Sequence, residues 1–319
     1  MIKKIAVLTS GGDAPGMNAC IRAVVRSGLV NGFEMYGIRD GYRGLLANDI
    51  VKMDRHSVSE IINRGGTILG TARLPEFIDL EVQKKAADIL REHGIDALVG
   101  IGGDGTYLGL AALSRQGINT IGLPGTIDND IASSDFTIGF DTALNTIVEC
   151  VDRLRDTSSS HQRCSIIEVM GNRCGDLAAY AGLCCGAEMV ITNETSFTKE
   201  SVIEFLKEQR EKGKKHAIII ISEKVTDVYE FAHEIKNKCG YETRAEILGH
   251  MQRGGTPSAN DRVLASRLGH YAIDLLKMGI SSSCAGIINN ELAYNSIDVA
   301  LKMPRKSSED YVKISKDLE

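Results

Sequence analysis

The chain has 319 residues, with 37 basic against 42 acidic side chains and a formal charge of −5, a balance that argues against sequence-blind binding of nucleic acid by the whole surface. Apolar residues make up 43% of it and no triplet repeat exists, which excludes collagen-like and disordered classes and leaves a globular chain of roughly two domains needing no disulfide or metal staple. Glycine is in excess at 33 residues, with only 5 prolines, so the positions of those glycines become the question.

In chain order, Lys3 and Lys4 precede the apolar run Ile5–Leu8, which is too short for a signal-peptide core and reads as a buried strand. The loop Thr9-Ser10-Gly11-Gly12-Asp13-Ala14-Pro15-Gly16-Met17-Asn18 follows and opens a helix over Ala19–Val30. Its glycines let backbone approach a ligand, and a helix N-terminus attracts anions. A tight strand-to-helix turn alone would need fewer glycines. On that helix Arg22 and Arg26 stand one turn apart with no acidic residue near in sequence. Like charges at this spacing are mildly unfavourable in a bare helix, so they mark either a solvated face or an anion site.

A helix over Val82–Glu92 leads to a strand at Ala97–Ile101 and a second glycine loop, Gly102-Gly103-Asp104-Gly105-Thr106. With Gly100 it spells Gly-x-Gly-x-x-Gly, but the first glycine falls inside the strand and no acidic residue ends a following strand, so a dinucleotide site is poorly supported. An Asp between glycines suits a magnesium ion beside phosphates. The next strand, Thr120–Leu123, ends in Pro124-Gly125-Thr126-Ile127-Asp128-Asn129-Asp130. There one carboxylate can act as a general base for an alcohol while the other sets its environment. No Gly-x-x-x-x-Gly-Lys-Ser/Thr exists, which excludes a P-loop NTPase. Three such loops supply the requirements of phosphoryl transfer, where positioning and charge stabilisation carry catalysis.

A helix over Asp141–Leu154 precedes the polar run Asp156–Arg163, read as a surface loop or crossing between domains. Strands are then expected at Ser165–Val169, Ala217–Ile221, Ala245–Leu248 and Ala285–Ile288, with a helix over Ser201–Arg210 and one dense basic run, Glu211–His216. Strands alternating with helices indicate a mainly parallel α/β architecture with ligands at the carboxyl ends of the strands. Of the eight cysteines none forms a Cys-x-x-Cys pair, and adjacent Cys184 and Cys185 read as small core fillers. Without a run of ~20 apolar residues, neither a membrane nor an oxidising compartment is indicated, and the chain is expected in the cytoplasm.

The strings TSGGDAPGMNACIR, RGGTILGTAR, IGGDGT, PGTIDNDI, TIGFDTALNT, IEVMG and GHMQRGG together resemble the bacterial ATP-dependent 6-phosphofructokinases along nearly the whole chain. GGDGT alone is shared with other kinases, whereas PGTIDND with GHMQRGG is not. The resemblance implies two α/β domains with mainly parallel sheets and an active site in the cleft between them. The larger, ATP-binding domain would take residues 1–139 and 252–305, and the smaller, sugar-phosphate-binding domain residues 140–251 and 306–319. It implies transfer of phosphate from ATP to the 1-hydroxyl of fructose 6-phosphate, the committed step of glycolysis.

By motif, Asp128 would be the base, supported by Asp130, and Asp104 the magnesium ligand. Gly12, Arg73 and Thr126 would face the transferred group, while Leu74, Gly103, Gly105 and Thr106 would line the nucleotide. Ile127, Met170, Gly171, Asn172, Glu223, His250, Met251, Gln252 and Arg253 would bind the sugar phosphate. Arg163 and Arg244 would reach in from a neighbouring subunit of a homotetramer.

An effector site for ADP or phosphoenolpyruvate would use Arg22, Arg26, Arg55, Arg155, Gly186, Ala187, Glu188, Lys212, Lys214, Lys215 and His216, with Glu188 holding a magnesium ion of the nucleotide. The chain departs from the family where Met-Gly-Arg-His is usual: here it reads Met170-Gly171-Asn172-Arg173, and Arg173 is expected to take over part of the missing charge. Leu74 and Gly70 fall where members vary and bear on the base pocket. Pyrophosphate-using relatives carry Asp at 105 and Lys at 125; glycine at both positions implies ATP. The alternatives are a pyrophosphate-dependent enzyme of the same fold and a nucleotide-sensing protein that has lost catalysis.

Overall fold

The computed structural model describes residues 2–319. Its elements run β1 (Lys4–Thr9), α1 (Met17–Val30), β2 (Glu34–Ile38), α2 (Gly41–Leu46), β3 (Ile50–Met53), α3 (Leu80–Glu92), β4 (Ala97–Gly102), α4 (Asp104–Arg115), β5 (Asn119–Thr126), β6 (Ile138–Gly139) and α5 (Phe140–His161). They continue β7 (Arg163–Val169), α6 (Asp176–Cys185), β8 (Met189–Ile191), α7 (Lys199–Glu211), β9 (Ala217–Ser222), α8 (Val228–Cys239), β10 (Glu242–Ile247), α9 (Ala259–Lys277), β11 (Ser283–Ile288), β12 (Glu291–Ser296), α10 (Ile297–Ala300) and α11 (Glu309–Asp317). Short 3-10 turns occupy Pro75–Ile78 and Gly249–Arg253.

Two compact units divide the chain. The first runs to Ile127 and adds Ile131–Thr142 and Arg253–Arg305; the second takes Asp128–Asp130, Ala143–Gln252 and Lys306–Glu319. The chain therefore changes unit inside α5, after its third residue.

The first unit holds one sheet in the order β12-β11-β5-β4-β1-β2-β3, with β6 added at the tip of β5. Only the β2–β3 and β11–β12 pairs at its edges are antiparallel. Strands β1, β4 and β5 are buried along nearly their whole length, because a parallel sheet covered by helices hides both faces of its strands. From β1 the chain steps to β2 on one side and later enters β4 on the other. The strand order thus reverses between β1 and β4, which pair in register from Ile5↔Ala97 to Thr9↔Ile101. Ligands in such sheets bind outside the carboxyl ends at this reversal.

The second unit holds a four-stranded sheet, β10-β7-β9-β8, parallel throughout. Ile166, Ile219 and Ile221 of its strands share a core with Phe231 and Ile235 of α8 and Val202 and Leu206 of α7. The last helix, α11, packs on α6, with the rings of Tyr180 and Tyr311 4.3 Å apart.

Helix starts fall into two groups. A side chain caps α3 (Asp79), α7 (Thr198), α8 (Asp227) and α9 (Ser258), each accepting a first-turn N–H. Helices α1, α4 and α6 begin instead at Gly16, Gly103 and Gly175 with no side-chain cap. In α1 the amide of Met17 already donates to the carbonyl of Ala14 and the first turn is buried, whereas Asp104 and Gly105 open α4 at the surface, where first-turn amides can meet a ligand.

The structure corrects three expectations. Seven strands are expected, but β2, β3, β6, β8 and β12 are also present. The run Asp156–Arg163 is no loop: α5 continues to His161 and Arg163 already opens β7. Ser160 Oγ donates to the carbonyl of Asp156 at 2.9 Å, and Ser158 Oγ lies buried 2.5 Å from Ser165 Oγ. Hydroxyls satisfied in this way let a polar run stay helical. Cys184 is exposed and Cys185 only half-buried, since α6 buries its face through Leu177, Ala178, Ala179, Ala181 and Gly182 and both cysteines lie at its end. All eight cysteines are free. No helix among the described residues is long and apolar enough to cross a membrane.

Candidate active site

In the first unit the β1 and β4 loops lie side by side because their strands pair. Thr106 Oγ1 donates to the carbonyl of Ser10 at 3.0 Å, and Tyr42 Oη donates to the carbonyl of Thr106 at 2.6 Å. Gly102 is required by this approach: a Cβ there would collide with Thr106 Oγ1 and the carbonyl of Ser10. Gly103 and Gly105 are different. Neither has a positive φ, and a Cβ on either would meet no atom within 4 Å. Nothing in the unit's own packing needs glycine at these two positions, and the space beside them is open.

Asp104 is the first residue of α4, where a carboxylate complements the helix dipole. Burial raises its pKa above the usual carboxylate range, and the charge of Arg305 draws it partly back. Gly12 is exposed in the β1 loop beside Arg253, whose Nη2 lies 3.0 Å from Asp13 Oδ1; a Cβ on Gly12 would stand 2.6 Å from that nitrogen. The segment carrying Arg73 is tied to the same loop, since Thr71 Oγ1 donates to the carbonyl of Gly11 at 2.7 Å. Fully buried Asn18 clamps the chain just before it. Its Nδ2 donates to the carbonyls of Arg64 and Gly65, and its Oδ1 accepts from the amide of Ile68 at 2.8 Å. Leu74 packs partly against the core of the unit. Thr126 ends β5, and its carbonyl accepts from Thr137 Oγ1 at 2.6 Å.

In the second unit the carboxyl ends of β7, β9 and β10 collect another group. The amide of Glu223, just past β9, donates to the carbonyl of Val169 at 2.8 Å, and the amide of Met170 donates to Gln252 Oε1 at 3.1 Å. The amide of Asn172 donates to Glu223 Oε1 at 2.7 Å. Asp128–Asp130 join this group through Asn129, which takes a left-handed φ of 53° and donates from Nδ2 to Asp176 Oδ2 at 2.8 Å. The carbonyl of Asn129 faces Cys174 Sγ at 3.9 Å. Half-buried Asp128 and Asp130 are therefore anchored beside the loop carrying Met170, Gly171 and Asn172. His250 and Met251 are exposed on the 3-10 turn, and Gln252 is buried.

Arg163 and Arg244 are not brought to this group. Arg163 opens β7, opposite Glu242, while Arg244 lies opposite Ser165 and pairs with Glu242 at 3.3 Å. Six strand steps place Arg163 about 20 Å from the carboxyl end.

The basic residues of the second unit gather at the other end of its sheet. Arg155 donates to the carbonyls of Cys185 and Gly186, the latter with a left-handed φ of 56° after α6. Buried Glu188 accepts the amide of Ile218 and lies 3.3 Å from Lys214 Nζ, which is also 3.3 Å from Glu319. Lys212, Lys215 and His216 adjoin it in sequence. In the first unit, burial and the charge of Arg26 lower the pKa of Arg22. Neither arginine forms an ion pair among the described residues, and Arg26 Nε is buried without a hydrogen-bond partner. Arg55 sits on an exposed turn.

Sequence reasoning missed Asn18 as a clamp and Lys224, whose Nζ lies 2.7 Å from Asn172 Oδ1. A buried asparagine inside a helix is a signal for the first; a lone lysine after a strand carries none for the second.

A phosphofructokinase family model matches residues 4–276. The chain is 56% identical over 321 residues to an ATP-dependent 6-phosphofructokinase of Haemophilus influenzae (strain 86-028NP), covering 100% of both chains. It is 54% identical over 319 residues to one of Aliivibrio fischeri (strain MJ11), again covering 100% of both. Among solved structures, phosphofructokinase from Saccharomyces cerevisiae superposes with a TM-score of 0.86 at 33% identity, over 99% of this chain and 48% of that one. The chain thus spans about half the length of that yeast chain. A pyrophosphate-dependent phosphofructokinase from Marinobacter aquaeolei gives a TM-score of 0.87 at 20% identity, over 98% of this chain and 91% of that one, a likeness of fold.

Proposed function

The chain belongs to the phosphofructokinase family, and from that premise we propose that it transfers the terminal phosphoryl group of ATP to the 1-hydroxyl of fructose 6-phosphate, giving fructose 1,6-bisphosphate and ADP. The observation that carries this reading is the open space at Gly103 and Gly105, where neither φ nor packing calls for glycine. Bare amides at an uncapped helix start, beside the strand-order reversal, suit the phosphates of a nucleotide.

Asp128 accepts the proton of the 1-hydroxyl as the new O–P bond forms, and ADP carries away the electrons of the bond that breaks. Gly12, Arg73 and Thr126 stabilise charge on the transferred group, and Asp130 supports the base. Ile127, Met170, Gly171, Asn172, Glu223, His250, Met251, Gln252 and Arg253 orient the sugar phosphate. Leu74 and Thr106 line the nucleotide with the two glycines. Asp104 fits a magnesium ion that arrives with the nucleotide: it is a single carboxylate, and no group of three or more His, Cys, Asp or Glu among the described residues could hold a metal by itself. Magnesium is commonly held by one or two carboxylates plus substrate phosphates and water, and it would neutralise phosphate charge there.

The same reading gives the second basic set to a phosphorylated effector, ADP or phosphoenolpyruvate. Unpaired Arg22 and Arg26 support it, with Arg55, Arg155, Gly186, Ala187, Glu188, Lys212, Lys214, Lys215 and His216. It also makes the working enzyme a cytoplasmic homotetramer, with Arg163 and Arg244 serving a neighbour's sugar site. Substitution of Asp128 by Asn tests the reaction. Turnover falls by about 10²–10⁴-fold while calorimetric ATP affinity is kept; unchanged turnover would remove Asp128 as the base.

A further inference from the structure

Lys224 carries a positive charge that the proposed reaction has not yet used. It follows β9 directly after Glu223, is exposed, and forms no ion pair with a carboxylate among the described residues. Its Nζ donates to Asn172 Oδ1 at 2.7 Å. Asn172 is itself fixed, because its amide donates to Glu223 Oε1 at 2.7 Å. The result is a closed arrangement of three residues at the carboxyl ends of two adjacent parallel strands, β7 and β9. Asn172 and Lys224 both hold left-handed backbone, with φ of 58° and 66°, a region non-glycine residues rarely enter.

An ammonium has three donors. Asn172 takes one, which leaves two donors and an uncompensated charge. Glu223 has Oε2 left over, an acceptor suited to a hydroxyl. A carboxylate oxygen beside a tethered cation is the pattern that recognises a molecule bearing both hydroxyl and phosphate groups. We propose that Lys224, held by Asn172, is a substrate-binding cation for the phosphate of the sugar phosphate, supplying the charge that asparagine at 172 lacks. The proposal rests on Glu223 serving the sugar site, so the test includes that residue separately.

The test is steady-state kinetics with fructose 6-phosphate and ATP, together with calorimetric binding of fructose 6-phosphate alone. Lys224→Met raises KM and Kd for fructose 6-phosphate about tenfold, with KM for ATP and the melting temperature unchanged. Lys224→Arg retains most of the affinity. In the Lys224→Met background, Asn172→Arg restores it, because a guanidinium returns the charge from the other side of the pair; a purely structural role for Lys224 gives no such rescue. Unchanged KM in Lys224→Met, a fall in kcat alone, absence of rescue, or a loss seen in Arg173→Ala but not Lys224→Met would each overturn the proposal. Glu223→Gln separates the two levels. If it raises KM while Lys224→Met does not, the proposal fails and the sugar site stands; if neither does, the sugar site fails as well.

Discussion

Gly102 and Gly105, three residues apart, lack a side chain for opposite reasons. At Gly102 a Cβ would strike Thr106 Oγ1 and the carbonyl of Ser10, atoms held by the β1 and β4 loops. Gly102→Ala is therefore expected to destabilise the fold by about 1–3 kcal/mol, the usual cost of overpacking, as read by denaturant unfolding. Gly105 faces open space in the first turn of α4. An acid there suits the helix dipole, so Gly105→Asp should leave unfolding unchanged. Its charge would meet the nucleotide phosphates instead, raising KM for ATP about tenfold or more, roughly 1.4 kcal/mol. A Gly105→Asp protein with normal KM for ATP would show that the open space is not the nucleotide's.

At the scale of elements, Asn18 joins α1 to the chain at 64–68 by three hydrogen bonds. Asn18→Ala leaves those backbone groups short of partners in a buried place, which costs about 1–3 kcal/mol for a group so stranded. Thermal unfolding should show that loss, and a protein as stable as the parent would show that water replaces the clamp. At the end of the chain, Glu319 shares Lys214 with Glu188. If Lys214 belongs to an effector site, Glu319 competes with the incoming phosphate. Glu319→Gln should then lower, several-fold, the ADP or phosphoenolpyruvate concentration giving half-maximal effect; an unaltered response would separate Glu319 from that site.

Which elements were legible follows from their burial. Strands β1, β4 and β9 carry continuous apolar runs because the parallel sheets cover both faces, and β5 and β7 keep shorter ones at Ile121–Leu123 and Ile166–Ile167. Strands β3 and β12 lie at edges and are only partly buried, so Ile50–Met53 and Glu291–Ser296 show no such run. Edge strand β10 begins at Glu242, three residues before the expected Ala245, because Glu242–Arg244 is polar. The helical end of α5 was hidden for a related reason: Thr157–Ser160 look like a loop until the hydroxyls of Ser158 and Ser160 are seen to be satisfied within the fold. At the site, glycine and aspartate motifs at strand ends were readable from spacing, whereas the Asn172–Lys224 pair joins residues 52 positions apart and depends on β7 and β9 being neighbours.

At the scale of the whole molecule, the −5 net charge conceals clustered cations. Arg22 and Arg26 stand without ion pairs among the described residues, Arg163 opens β7 at the end of its sheet away from Glu223 and Asn172, and Arg244 lies two residues further along, opposite Ser165. If these last two serve a neighbour's site, an Asp128→Asn chain and an Arg244→Ala chain, each nearly inactive, should recover activity when unfolded together and reassembled. A hybrid then contains sites with an intact base and an intact arginine. No recovery would show that Arg244 does not serve a neighbour's site.

In the proposed reaction, ATP bound over Gly103 and Gly105 is the phosphoryl donor to fructose 6-phosphate. That role is tested most directly by following fructose 1,6-bisphosphate formation in a coupled assay with either ATP or pyrophosphate and magnesium. Turnover is expected with ATP and none above background with pyrophosphate. Turnover with pyrophosphate alone, or with neither donor, would contradict it.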